Sequence, residues 1–145
     1  MQFLVGPPCT VPGASKELAL TRIISIPDEK PPIEKVLDAC VEAIIEKATV
    51  IKTPIINEQG PLRKVIIKGT AVITLKYVAA VKDQQVHAAI FHIPFESLVE
   101  WQNGPTPGSP ICVNVTTEHF QVDPLDYCTL LAAMVLRFDI YNKPE

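Results

Sequence analysis

Three histidines are the side chains of this chain best suited to proton transfer or metal binding near neutral pH. His87 and His92 fall on one predicted strand, and His119 falls on another. Because successive side chains of a strand alternate between its faces, His87 and His92 are expected to point in opposite directions. They could share a metal only across a bulge, so we interpret each histidine as a surface or hydrogen-bonded residue.

The four cysteines are far apart in the sequence: Cys9, Cys40, Cys112 and Cys128. None belongs to a C-x-x-C motif or to a Cys/His pair at zinc spacing, so we predict no metal site and no cofactor. We interpret Cys40, Cys112 and Cys128 as buried, reduced thiols that act as small apolar residues. Cys9 differs, because it lies in a proline-rich segment that no core is expected to cover.

The remaining candidates for chemistry favour structural roles. Asp123 and Asp126 stand in "VDPLDY", where an Asp-Pro pair is typical of a turn rather than of acid-base catalysis. Trp101 beside the loop "QNGPTPGSP" (102–110) is interpreted as a loop anchor, with ligand stacking as the alternative. The chain contains no G-x-S-x-G, no glycine-rich phosphate loop and no H-E-x-x-H. We therefore predict a protein that is not an enzyme.

Composition narrows the functional class further. The chain has 145 residues, 48% hydrophobic and 20% charged, which fits one globular domain. Its net charge of −3 and the lack of a basic stripe argue against nucleic-acid binding. The longest apolar run, "LLAAMVL" (130–136), is far shorter than the roughly 20 residues of a membrane helix. "MQFLVGPP" lacks the features of an export signal, so we expect synthesis in the cytoplasm without a signal peptide.

Alternating apolar and polar residues predict a chain of strands. In "RKVIIKGTAVITLKYVA" (63–79), Val65 to Tyr77 share one face at every second position, and Lys64, Lys68 and Lys76 share the other. Gly69 within this run suggests a bulge or bend. Prolines separate the apolar runs, as expected for a residue that cannot donate to a sheet. The other candidate strands are 18–26, 48–56, 85–95, 111–122 and 127–141.

One segment is ambiguous. "PPIEKVLDACVEAII" (31–45) places apolar residues at helical spacing behind two prolines that suit a first helical turn. We interpret it as a short helix or helical turn near 33–38 followed by a strand over about 41–53. The predicted fold is mainly β, an antiparallel β-sandwich of about six to eight strands over residues 18–145. Residues 1–17 are predicted to form an extended N-terminal arm.

The middle of the chain resembles a known family. Its motifs are Lys52-Thr53-Pro54, the Lys68-Gly69 pair before a strand that ends at Tyr77-Val78, and Pro94-Phe95 at the close of the next strand. With the lead-in "IPDEKPPIEKVLDA" (26–39), these resemble the SPOCS domain of spore coat and spore envelope proteins from endospore-forming bacteria. The resemblance extends from about residue 18 to 140.

The resemblance implies a non-enzymatic structural protein of the spore. Family members often carry several copies or a peptidoglycan-binding LysM module, whereas this chain has one copy and no such module. A single domain then binds one partner or binds itself. Coat components are made in the mother-cell cytoplasm and freed when that cell lyses, so the expected final location is the spore surface or the extracellular space. Thiols would stay reduced during synthesis and could oxidise after release.

The N-terminal arm suggests how copies would join. Phe3, Leu4 and Val5 are apolar residues of high β-propensity, and such residues promote association when exposed. We expect them to dock on a sheet edge or apolar groove of an adjacent subunit, with Pro7 and Pro8 as a stiff spacer. Cys9 would lie near the contact and could form an intersubunit disulfide, with no partner cysteine chosen.

Three alternatives remain open from the sequence. The arm could be a disordered tail, as many chain termini are. The protein could be a monomeric adaptor that binds another spore-coat morphogenetic protein through an exposed sheet edge. It could also be an enzyme or a small-molecule binder on a β-sandwich, because the fold by itself excludes neither.

Overall fold

The computed structural model describes residues 12–143, which form seven antiparallel strands and no helix. One sheet has the order β1-β7-β6, and the other places β4 between β2 and β5, with the short β3 paired to the start of β4. This confirms the predicted antiparallel β-sandwich. The strands are β1 (Ala14–Ser25), β2 (Ile33–Ile51), β3 (Ile56–Asn57), β4 (Gly60–Ala79), β5 (Val86–Gln102), β6 (Ile111–Pro124) and β7 (Thr129–Asn142).

β4 is the central strand of the larger sheet, and its two faces differ as the sequence predicted. Every second residue from Val65 to Ala79 is buried, whereas Lys68 and Lys76 on the other face are exposed. Leu75, in the middle of the buried face, is 0% exposed. β4 pairs along most of its length with β2 on one side and β5 on the other. Its buried face therefore defines one wall of the core.

β7 supplies the facing wall from the centre of the smaller sheet. Its inward side chains at even positions from Leu130 to Ile140 are all buried. The two walls meet directly where the rings of Phe95 and Phe138 pack with centroids 5.7 Å apart. β1 and β6 flank β7, and β1 begins at Ala14, earlier than the predicted start of this strand at residue 18.

The predicted helix near residues 33–38 is wrong, because these residues form the start of the 19-residue strand β2. β2 pairs with β4 from Ile33 opposite Ala79 to Ile51 opposite Lys64. Register shifts at three places put extra residues into this pairing, so inward apolar residues recur two or three positions apart. A spacing of three resembles the helical period of 3.6 residues, which explains why the pattern of residues 33–38 predicted a helix.

Gly69 marks one of these irregularities, although the extra residue is on the opposite strand. The register shift lies between Ile45 and Lys47 of β2, directly across from Gly69 and Lys68. A Cβ atom at Gly69 would lie 2.5 Å from Cζ of Phe95 and would also meet the carbonyl of Ile44. Glycine therefore allows the backbone of β2 to approach β4 closely at the bulge.

We predict that Leu75→Ala destabilises the domain by about 2–5 kcal/mol, because it leaves a cavity at a fully buried site. Lys76→Ala is the matched control on the adjacent, exposed position, and it should change the free energy of unfolding by less than about 1 kcal/mol. Urea denaturation of both variants measures the difference. Equal effects of the two substitutions would contradict the assignment of faces on β4.

Candidate assembly interface

The histidines do not form a site. His87 lies on the inward-facing side of β5 and stacks on Tyr77, with ring centroids 5.9 Å apart, whereas His92 is exposed on the other side. His119 is exposed on β6, in the other sheet. This confirms that His87 and His92 face opposite directions. Within residues 12–143, no group of three His, Cys, Asp or Glu side chains is arranged to hold a metal ion.

Tyr77 has a structural role beside His87. Its hydroxyl donates a hydrogen bond of 2.8 Å to the carbonyl of Pro31, and burial raises its pKa. This bond ties the loop between β1 and β2 to the central strand. The pair of rings is thus part of the packing at one end of the sandwich.

The interpretation of three cysteines as buried thiols is wrong. Cys40 and Cys128 are exposed, Cys112 is half-buried, and all three are free thiols. Cys40 lies on β2 opposite Thr74, and the register shifts of β2 put it on the outward face. Cys128 lies in the turn before β7, where the alternation of that strand no longer applies. The predicted interaction residues Phe3, Leu4, Val5, Pro7 and Pro8, and also Cys9, lie outside the described residues.

Trp101 packs against Gly104 of the loop 102–110, as predicted for a loop anchor, and it also contacts the described N-terminal end of the chain. It is 4% exposed, and a Cβ atom at Gly13 would lie 2.5 Å from its Cζ2. The N–H of Gly13 also donates to the carbonyl of Ile140 at 2.8 Å. These contacts fix the position at which residues 1–11 join the domain. We call this end, defined by Gly13, Trp101 and Ile140, the root pole.

Each sheet ends in strands that pair on one side only within residues 12–143. These open edges are β1 and β6 in the smaller sheet and β2 and β5 in the larger one. β1 and β5 lie side by side, where Nζ of Lys16 donates to the carbonyl of Leu98 at 2.8 Å. An unpaired edge offers backbone donors and acceptors to another chain. β2 and β6 also lie side by side, so a strand added to any of these edges must fit beside the neighbouring edge of the other sheet.

The opposite end of the sandwich carries an apolar cleft of about 710 Å³. Three turns meet there: β1–β2, β4–β5 and β6–β7. The charged side chains of Glu34 and Lys82 also line the cleft. We call it the pole cleft, and its apolar lining consists of Pro32, Ala80, Val81, Tyr127 and Cys128.

Backbone hydrogen bonds hold the walls of the pole cleft together. The N–H of Ile33 donates to the carbonyl of Tyr127 at 2.7 Å, and the N–H of Ala80 donates to the carbonyl of Pro32 at 2.8 Å. A third bond of 2.8 Å runs from the N–H of Ile26 to the carbonyl of Cys128. All three turns are therefore connected, and the cleft is formed before any ligand arrives.

Asp126 shapes the wall that carries Tyr127 and Cys128. Its Oδ1 accepts hydrogen bonds of 2.8 Å from the backbone N–H groups of both Cys128 and Thr129. The bond from Cys128 is the main cause that lowers the pKa of this carboxyl group, followed by those from Thr129. The sequence predicted a turn at the Asp-Pro pair of "VDPLDY", but Asp123 and Pro124 end β6, and the turn is formed by residues 125–128 with Asp126 as its cap.

Residues 32–125 match the family model described as SipL, SPOCS domain. This stretch covers more than half of the chain and runs from the start of β2 to the end of β6. The chain belongs to the SipL SPOCS-domain family. Membership indicates a sporulation-related protein and confirms the resemblance, over a narrower range than predicted. No curated protein and no solved structure matches the chain. Residues 12–143 contain no helix long and apolar enough to cross a membrane.

The pole cleft is not apparent from the sequence. Its lining residues come from three turns that are distant in the chain, and from the sequence alone these turns appear only as boundaries between strands. One signal was present in "DPLDYC" (123–128), where Leu125 and Tyr127 are large apolar residues in a turn between two strands. They are 53% and 69% exposed. Large apolar residues in a short turn between two strands therefore indicate exposed apolar surface at that end of the domain.

We predict that Asp126→Ala lowers the melting temperature at neutral pH, because the turn loses both acceptor bonds. The folded-state pKa of Asp126 is lowered, so its stabilisation is present above the ordinary value of roughly 3.9. That stabilisation is lost as the pH falls through the lower folded-state value. The difference in melting temperature between wild type and Asp126→Ala should therefore shrink in strong acid.

Asp123→Asn is the control for this experiment, since Asp123 lies in the same segment and accepts a bond only from the exposed Gln121 side chain. It should melt close to wild type at neutral pH. Thermal denaturation followed by circular dichroism at neutral and acidic pH provides the comparison. A difference for Asp126→Ala that stays constant with pH would show that its carboxylate does not cap the turn.

Proposed function

We propose that this protein is a non-enzymatic structural subunit of the bacterial spore surface that assembles with copies of itself. The assembly would be a coat, an exosporium or an extracellular fibre. The N-terminal arm joins the copies, with Phe3, Leu4 and Val5 docking on a neighbouring subunit. Membership of the SPOCS-domain family supports the sporulation context. The location at the spore surface follows from that context and is part of the proposal.

The observation that carries the proposal is the position of the root pole. Gly13 is held at the surface end of the sandwich by Trp101 and Ile140, so residues 1–11 start from one end of the domain. The domain buries its core between the two sheets. In this proposal the apolar residues of the arm dock on another copy, and burying them there removes apolar surface from water.

Pro7 and Pro8 have a defined part in this arrangement. Proline fixes the backbone φ and cannot donate a hydrogen bond, so the two residues keep this part of the arm extended. They separate the docking residues from the domain and disfavour their return as an extra strand of the same sheet. Cys9 follows directly and lies close to the contact between copies. It is available for an intersubunit disulfide once the protein meets an oxidant such as dissolved oxygen.

The open sheet edges support a second candidate function. β2 and β5 each have one unpaired side within the described part of the chain, and such edges accept a strand from a different protein. In this alternative the protein is a monomeric adaptor that binds another spore-coat morphogenetic protein. A full-length chain that stays monomeric at all concentrations would favour the adaptor.

We predict that the full-length chain forms oligomers or filaments, whereas deletion of residues 1–9 leaves a folded, soluble monomer. The deletion removes the docking residues and leaves all seven strands in place. Light scattering after size-exclusion chromatography gives the mass, negative-stain microscopy gives the shape, and circular dichroism checks the fold. If the truncated protein assembles as the full chain does, the arm does not connect the copies.

Matched substitutions separate the apolar residues from the length of the arm. Phe3→Ser, Leu4→Ser and Val5→Ser in one variant should abolish assembly without shortening the chain. Thr10→Ser changes a polar residue of the same arm outside residues 2–5 and should leave assembly intact. Equal behaviour of the two variants would contradict a role for the apolar side chains.

A further inference from the structure

The pole cleft lies at the opposite end of the domain from the root pole. β1 runs from Ala14, opposite Ile140, to Ser25, opposite Thr129. The next residue, Ile26, bonds to the carbonyl of Cys128 in the cleft wall. From Gly13 to Ile26 the strand advances by about 3.3 Å per residue, so the two poles are about 40 Å apart.

The arm is too short to reach the cleft of its own domain. A fully extended chain spans at most about 3.6 Å per residue, so Val5 lies within about 29 Å of Gly13 and Phe3 within about 36 Å. Both limits fall short of the separation between the poles. An arm that enters a pole cleft must therefore come from another copy.

The chemistry of the cleft fits the apolar segment of the arm. Tyr127 is 69% exposed and Val81 is 38% exposed, so covering them buries apolar surface. Residues 2–5 carry no charged side chain. Because hydrogen bonds between the turns preform the cleft, an entering segment does not need to order its walls.

The other large groove of the domain is less suited to this segment. It lies between β1 and β5, has a volume of about 600 Å³, and is lined by the charged Arg22, Glu46, Lys68 and Glu96. Lys68 and Glu96 form an ion pair, with Nζ 3.9 Å from Oε2. Covering this pair and the other two charged groups with Phe3, Leu4 and Val5 would remove them from water, which is unfavourable. Of these two grooves, the pole cleft is therefore the better match for the apolar segment.

We propose that the pole cleft is the acceptor site for residues 2–5 of the adjacent copy. This inference rests on the proposed function and names the surface that receives the arm. Donor and acceptor lie at opposite poles, so the contact is heterologous, and each added copy presents a new free cleft or a new free arm. Such a joint propagates head to tail along the direction of the strands and builds a filament.

Two variants that are each unable to assemble provide the test. The chain without residues 1–9 has a cleft but no docking segment. A chain with Val81→Asp and Tyr127→Asp has the arm but a charged cleft, and both sites tolerate a polar side chain because they are partly exposed. Each variant alone should be monomeric, and a mixture of the two should form a 1:1 heterodimer of about twice the monomer mass by light scattering.

Ile44→Asp with Ile90→Asp is the matched control for the cleft variant. Ile44 on β2 and Ile90 on β5 are 43% and 60% exposed and pair with the middle of β4, away from both poles, so this variant adds the same two charges at other apolar surface sites. It should assemble as wild type does. Assembly by the Val81→Asp/Tyr127→Asp variant, or no heterodimer in the mixture, would overturn the assignment of the cleft. If instead the chain without residues 1–9 assembles by itself, the proposed function fails.

Chemical cross-linking gives a readout that does not depend on altering the cleft. Cys128 lines the cleft, and Cys9 is four residues from Val5, a span of at most about 14 Å in an extended chain. With Val5 in the cleft, a bismaleimide with a spacer of about that length should link these two thiols, as mapped by mass spectrometry. Cys128→Ser should remove the linked species, whereas Cys40→Ser and Cys112→Ser should keep it. A link from Cys9 to Cys40 or Cys112 in place of Cys128 would overturn the proposal even if the chain assembles through its arm.

Discussion

The burial of one face of β4 is the constraint on which the rest of the structure depends. Side chains of this strand alternate with a period of two, and every second one from Val65 to Ala79 is inside the sandwich. A shift of the pairing by one residue would move this set to the surface and carry Lys68 and Lys76 into the core. The cost of burying those charges fixes the register of β4, and through it the registers of β2 and β5.

The fixed registers determine where the turns of the larger sheet fall. β4 and β5 are antiparallel neighbours, so the turn between them lies at the end where β2 begins. In the smaller sheet, β7 pairs with both β1 and β6, which brings the turn before β7 to the same end. The pole cleft is the meeting point of these turns, and the root pole is the other end of the same strands.

The described part of the chain exposes strand edges and an apolar cleft at one pole. Its histidines are separated, and Asp126 is occupied in capping a turn. By contrast, both sheets expose unpaired strand edges, and large apolar side chains lie uncovered at the pole cleft. The charged side chains that β2 exposes reduce indiscriminate pairing at its edge, as is common for edge strands. Association through an apolar contact at the poles does not involve pairing at the edge of β2, so it is compatible with the protection that these charges give.

Much of the fold could be predicted because the relevant information is local. The alternation in β4 and β7, the prolines between strands and the family motifs are readable from neighbouring residues, and each pointed to an antiparallel sandwich. β2 was misread at residues 33–38 because its bulges change the apolar spacing from two to three. Gly69 indicates an irregularity in β4, but the extra residue lies on β2, where no local pattern indicates it.

The sequence by itself determined the strand class, the faces of β4 and β7, the family and the apolar character of residues 3–5. The tertiary structure alone decided which thiols are exposed, which strands form the edges and that turns distant in sequence build one cleft. The physical reason is that alternation within a strand reflects one buried face, which the chain encodes residue by residue. Edges, bulges and clefts arise from the packing of strands that are far apart in the chain, so they follow only from how the two sheets close over their common core.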